Sequence, residues 1–271
     1  MDLKIFIKVL LENPDEALWS LLPLLFLFSI YLSFSNKETA HSFCSAKQPT
    51  WLHNKWLGLT ADWAVMLALW LPMESGLVVK LAMKFIGPDA DDAQMYWELF
   101  ALVIGLIYFL SFRKYDIHYH LWSKKLNDWK EALRNFGILI PPLLIMGLHS
   151  GFITYSGLPS LSLRTLFIPI GIFFIVAVPE EIFFRGIMQK SLGKVMSDES
   201  ANAFTAVLFG LAHYTNSSDP LFACQYVYLA TIAGYVYGKT YQNTKSIFPA
   251  AVVHTLVDTV WVLFFLTPNT Q

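Results

Sequence analysis

"VPEEIFFRGI", Val178–Ile187, places two adjacent carboxylates and an arginine inside an otherwise apolar run. A charge at the centre of a bilayer costs about 2.5–3.5 kcal/mol on insertion scales, so charges there mark function or specific pairing. The rest of the chain decides whether that cost applies. Of its 271 residues, 55% are hydrophobic, 16% aromatic and only 14% charged, against about 25% charged in soluble domains. This composition reads as a polytopic membrane protein. A net charge of −1 gives no reason to expect nucleic acid as a partner. The cysteines, Cys44 in a polar stretch and Cys224 in an apolar one, form no CxxC pair, which argues against a disulfide framework or a zinc ribbon. The first apolar run follows "ENPDE" and ends in "SFSNKE" without a small-x-small cleavage site. It therefore reads as a retained membrane helix rather than a signal peptide.

A spanning helix needs about 20 mostly apolar residues. Eight segments approach this: 18–34, 62–83, 97–112, 136–155, 164–190, 200–214, 220–238 and 246–267. The fold class expected is all-α, a polytopic bundle of about eight transmembrane helices in the cell membrane. Lys37, Lys47 and Lys55 follow the first span; Arg113, Lys114, Lys124, Lys125, Lys130 and Arg134 follow the third. Lys190 and Lys194 follow the fifth, and Lys239 and Lys245 the seventh, whereas the alternate loops "GPDADD" and "GLPSLS" carry no basic residue. The positive-inside rule then puts the basic loops in the cytoplasm and both chain ends outside. Lys4, Lys8, Lys80 and Lys84 run against this pattern. In "HYHLWSKKLNDWKEALRNF", Trp122, Leu126, Trp129 and Leu133 recur at helical spacing between basic residues, the pattern of an amphipathic helix lying in the interface. His118 and His120 alternate and share no helix face, so they read as interfacial residues rather than metal ligands.

Three later spans carry ionisable groups: Glu180, Glu181 and Arg185 in the fifth, His213 in the sixth, His254 and Asp258 in the eighth. Glu181 and Arg185 lie one turn apart on one helix face and can pair. Glu180 points about 100° from Glu181 and about 140° from Arg185, so one carboxylate can be neutralised while its neighbour stays free. Pro179 lacks a backbone donor and loosens the preceding turn. At about 1.5 Å per residue, Glu180, His213 and His254 can share one level in the bilayer. His254 and Asp258 are also one turn apart.

A carboxylate beside an imidazole can deprotonate water as general base. A second histidine with a polar neighbour can donate to the oxyanion formed when that water attacks a carbonyl. This is amide hydrolysis without a covalent intermediate. A zinc version uses the same residue types, although no HExxH is present, and no GxSxG supports a serine nucleophile. A transporter can also use midplane carboxylates and histidines as a proton relay. On the residues alone, hydrolysis and transport both stay open.

At these positions the chain resembles a known family. "EEIFFRG", from Glu180, matches the EExxxR motif of the CAAX-prenyl-endopeptidase and bacteriocin-processing (CPBP, or ABI) intramembrane proteases. "FGLAH", Phe209–His213, matches their FxxxH motif, and "HTLVD", His254–Asp258, their HxxxN or HxxxD motif. "GYVYGKTYQNTKSIFPAAVVH" resembles the stretch that precedes the third motif. The resemblance spans residues 164–267, the protease core, and leaves 1–160 as membrane helices of unassigned role. It implies that Glu180 and His213 activate water and that His254 and Asp258 serve the oxyanion, with Glu181, Arg185 and Phe209 in support. No metal or cofactor is implied. The expected partners are the lipid bilayer and a membrane-associated protein or peptide substrate: a CAAX protein, a C-terminal sorting anchor or a leader peptide. Asp258 departs from the asparagine of the prenyl-protein enzymes, and an ionised Asp cannot donate to an oxyanion. Some relatives are immunity or accessory proteins, so a non-proteolytic membrane partner is the alternative class.

Overall fold

The computed structural model describes residues 54–87, 93–115, 123–160 and 162–267. They fall into two units, Met1–Asp116 and Ile117–Gln271. The first expected span, 18–34, lies outside the described residues, as do His118, His120 and Trp122.

In the first unit, α1 (Lys55–Glu74) starts at Asn54, whose side chain accepts from the Trp56 and Leu57 amides at 3.0 and 3.2 Å. This satisfies two of the orphan donors of the first turn. The chain breaks at Gly76, whose φ of +63° is in the left-handed region, where glycine carries no Cβ penalty. It then continues as α2 (Leu77–Phe85), bent 57° from α1. α3 runs over Ala93–Leu106 and ends in a π-helical stretch, Ile107–Phe112. The feature holding this unit is a buried polar cluster around Asp62. Arg113 donates to it at 2.5 and 2.9 Å, and the Tyr115 and Tyr108 hydroxyls at 2.7 and 3.3 Å. Arg113, read from the sequence as a loop cation, is therefore a buried partner that ties the end of α3 to α1.

The second unit carries all three motifs. α4 (Leu126–His149) is one continuous helix, so the described part of the expected interfacial helix and the fourth span are a single element. Asp128, Ala132, Asn135, Leu139, Leu143 and Gly147 form its buried stripe. The polar residues near its start are matched internally. The Ser123 hydroxyl donates to Asp128 at 2.5 Å, and Asn135 donates to Thr240 at 2.8 Å. Trp129 packs edge-on against Phe248 at 5.1 Å. Partnered in this way, a sequence that reads as interfacial extends a helix that packs against the helices Pro220–Thr244 and Ile247–Phe264.

α5 contains the span Thr165–Leu192. Ser162 and Thr165 form a capping box at its start. The helix then alternates between α and π winding: α over Leu163–Gly171, π over Ile172–Ala177, α over Val178–Glu181, π over Ile182–Gln189, and a last turn Lys190–Leu192. Pro179 explains the first widening, because it offers no N–H and its ring crowds the carbonyl of the preceding turn. Such π insertions within helices recur at functional sites.

α6 (Asp198–Leu211) is capped by Ser197, and α7 (Pro220–Thr244) by Asp219. α8 (Ile247–Phe264) leads into a two-residue strand, β2 (Phe265–Leu266), which pairs antiparallel with β1 (Thr154–Tyr155). α6 and α7 approach closely because glycines face each other's helix. A Cβ on Gly234 would lie 2.8 Å from the Phe209 ring, and one on Gly238 would lie 1.7 Å from Asn202 Oδ1. Gly234 and Gly238 form a GxxxG pair, the small-residue spacing that lets membrane helices pack backbone to backbone.

The molecule is thus a predominantly helical membrane protein; the expected span 62–83 is divided between α1 and α2, and 136–155 and 246–267 end beyond their helices in β1 and β2. Three described helices are long and apolar enough to cross a bilayer: Leu126–His149, Thr165–Leu192 and Ile247–Phe264. The bent pair α1–α2 makes a fourth if counted as one span. α6, at 14 residues, is only about 21 Å long, against a hydrocarbon core of about 30 Å.

Candidate active site

The charged residues of the fifth and eighth expected spans meet between α5 and α8. Glu181 and Arg185 are both fully buried, with Arg185 Nε donating to Glu181 Oε2 at 2.9 Å. The guanidinium carbon lies 5.2 Å from the Phe209 ring and 5.9 Å from the Phe184 ring. These contacts give its outer face cation–π partners where Nη1 and Nη2 have no hydrogen-bond acceptor. The second oxygen of Glu181 takes His254, whose Nδ1 lies 3.1 Å from Oε1. Since a carboxylate only accepts, His254 carries a proton on Nδ1. Glu181 is therefore committed on both oxygens.

Glu180 differs from its neighbour. Its side chain is 31% exposed, against 0% for Glu181. Its Oε2 has no hydrogen-bond partner and faces His254 Nε2 at 3.9 Å. Asp258, one turn beyond His254 on α8, places Oδ2 3.4 Å from the same nitrogen. Both edges of the His254 ring thus face carboxylates.

His213 sits just past the C-terminus of α6, with φ −96° and ψ 0°, rather than inside a span. Its Nδ1 lies 2.8 Å from the Phe209 carbonyl oxygen. A carbonyl only accepts, so Nδ1 is the donor, and in the neutral ring Nε2 is left as the acceptor. The carboxylate of Glu180 faces His254, 3.9 Å from Nε2. Phe209 links the two histidines: its ring centroid is 4.8 Å from that of His213 and 5.7 Å from that of His254. Among the described residues, no three His, Cys, Asp or Glu side chains converge as a metal site.

Sequence reasoning passed over Tyr237. Its ring stacks on His254, with centroids 4.7 Å apart and planes at 17°. The signal was present: Tyr237 lies between Gly234 and Gly238 in "GYVYG", and a GxxxG spacing marks a close helix approach whose intervening aromatic is likewise brought near the partner helices.

Residues 162–260 match the family model described as Rce1-like, Type II CAAX prenyl endopeptidase Rce1-like. The matched stretch contains Glu180, Glu181, Arg185, His213, His254 and Asp258. No curated protein and no solved structure matches the chain.

Proposed function

We propose, from the premise that residues 162–260 belong to the CPBP family, that this membrane protein is an intramembrane endopeptidase in which Glu180 activates the attacking water. The family assignment supports a peptidase acting on a protein or peptide at the membrane. The observation that carries the assignment of the base is the division between adjacent carboxylates. Glu181 is spent on Arg185 and His254, while Glu180 Oε2 has no hydrogen-bond partner and faces His254.

In this reading, water beside Glu180 gives up a proton to it as the oxygen attacks the scissile carbonyl. His254, protonated on both ring nitrogens between the carboxylates that flank it, donates from Nε2 to the developing oxyanion, and Asp258 holds that N–H in line. His213, the FxxxH histidine, takes the role of second residue in activating that water, as the family motif implies. Glu180 then returns its proton to the leaving amine. The sheltered position of the cluster strengthens every electrostatic contact in it relative to bulk water.

The matched family description favours a substrate with a prenylated CAAX end. This reading keeps the basic loops, including the one after α5, on the cytoplasmic side, as the positive-inside rule expects. The test is to incubate the purified full chain in liposomes with a peptide farnesylated on the cysteine of a CAAX terminus, and with its unprenylated counterpart. Mass spectrometry is expected to find a C-terminal fragment released from the farnesylated peptide alone. Recovery of both peptides intact would contradict the substrate class.

A further inference from the structure

The motifs account for the three carboxylates and the Phe209 edge around the His254 ring, but not for its face. In the ring plane, one true hydrogen bond holds the imidazole, from Nδ1 to Glu181 at 3.1 Å. The contacts at Nε2, 3.4 Å to Asp258 and 3.9 Å to Glu180, are longer than a good N–H···O bond. A ring pinned at one nitrogen swings about that point, and a small swing moves Nε2 away from the place where an oxyanion forms. The Tyr237 ring closes off this motion. It is 1% exposed and lies almost parallel to the imidazole, with centroids 4.7 Å apart. Phe209 meets the imidazole edge-on, at 82° and 5.7 Å.

Tyr237 is itself well anchored. It lies between the two glycines that bring α7 against α6, and its ring meets Phe209 at 5.9 Å and 81°. A phenol face also attracts a cation, so it suits an imidazole whose edges both face carboxylates.

We propose that Tyr237 is a positioning residue for the endopeptidase reaction put forward above. Its ring face fixes the plane of His254 so that Nε2 points at the reacting carbonyl. The aromatic face carries this role, not the hydroxyl. The inference rests on the endopeptidase reading for its catalytic meaning, while the stacking itself does not.

Two variants of the full chain separate face from hydroxyl. Tyr237→Phe keeps the stack, and its kcat on the farnesylated peptide is expected within about threefold of wild type. Tyr237→Leu removes the stack. Misplacing a reacting group by an ångström costs about 100-fold, so kcat is expected to fall by that order while KM stays unchanged. An activity-independent readout accompanies this. In detergent-solubilised protein labelled with 15N-histidine, the Nδ1–H resonance of the His254–Glu181 bond, assigned by its absence from His254→Asn, is expected in wild type and Tyr237→Phe. In Tyr237→Leu it is expected to be lost to solvent exchange. If the leucine variant does not fold, Tyr237→Met, apolar but not aromatic, replaces it with the same expectations. The inference is overturned by a leucine variant with wild-type kcat or an intact Nδ1–H resonance, or by a phenylalanine variant as damaged as leucine. If wild type leaves the peptide uncut, the endopeptidase reading fails on this substrate, and the resonance alone decides the role of Tyr237.

Discussion

Gly210→Ala probes the contact that sets α6 against α7. A methyl on Gly210 would lie 2.0 Å from Thr231 Oγ1 and 2.5 Å from the Val227 carbonyl oxygen, where ordinary contact begins at 3.4 Å. The threonine can rotate away. The carbonyl cannot, so α7 must retreat by roughly the 0.9 Å difference between the two distances. That retreat loosens Gly234 and Tyr237 from Phe209. Overpacking of this kind costs about 1–3 kcal/mol, and the better helix propensity of alanine offsets about 1 kcal/mol. The backbone clash favours the upper part of that range, leaving a net loss of about 1–2 kcal/mol. Gly137→Ala on α4 is the control. That glycine is exposed and a methyl on it would meet nothing within 4 Å, so a gain of about 0.5–1 kcal/mol is expected. Thermal unfolding in one detergent is expected to rank Gly137→Ala above wild type and wild type above Gly210→Ala. A Gly210→Ala midpoint at or above wild type would refute the close-approach argument.

Arg185→Ala leaves Glu181 buried with His254 as its remaining partner. Removing one member of a buried ion pair costs about 3–5 kcal/mol, so poor accumulation and a lowered thermal midpoint are expected, and a wild-type midpoint would contradict the pairing. Asp258→Asn keeps shape but removes a carboxylate that accepts from His254. On the proposed orienting role, with Asp258 3.4 Å from Nε2, turnover is expected to fall partially at unchanged expression. Unaltered turnover would favour a protonated Asp258 that donates directly.

What the sequence made legible was local. The Glu181–Arg185 pair follows from one-turn spacing, and it forms although part of α5 is wound as π-helix. The split between a committed and an available carboxylate follows from the same geometry. What it hid depended on partners far along the chain. Lys125, Trp129 and Lys130 resemble an interfacial pattern because nothing local reveals that Asn135 is met by Thr240 and Trp129 by Phe248. Arg113 counts as a loop cation until Asp62, distant in sequence, is seen beside it. The depth expected for His213 assumed that it lies within a helix, but α6 ends at Leu211. Beyond a helix end, counting residues no longer gives depth. Tyr237 carries no charge and was lost among the many aromatics, although the glycines flanking it marked its helix as the one drawn close.

The most direct test of the central claim is turnover by Glu180→Gln. Glutamine preserves the volume and hydrogen-bonding reach of the side chain but cannot accept the proton of the attacking water. Since Glu181, not Glu180, holds Arg185, the substitution spares the buried ion pair. In liposomes with the farnesylated CAAX peptide, the account predicts that cleavage falls to background while expression and the thermal midpoint stay at wild-type values. A folded Glu180→Gln protein that still cleaves the peptide would contradict it.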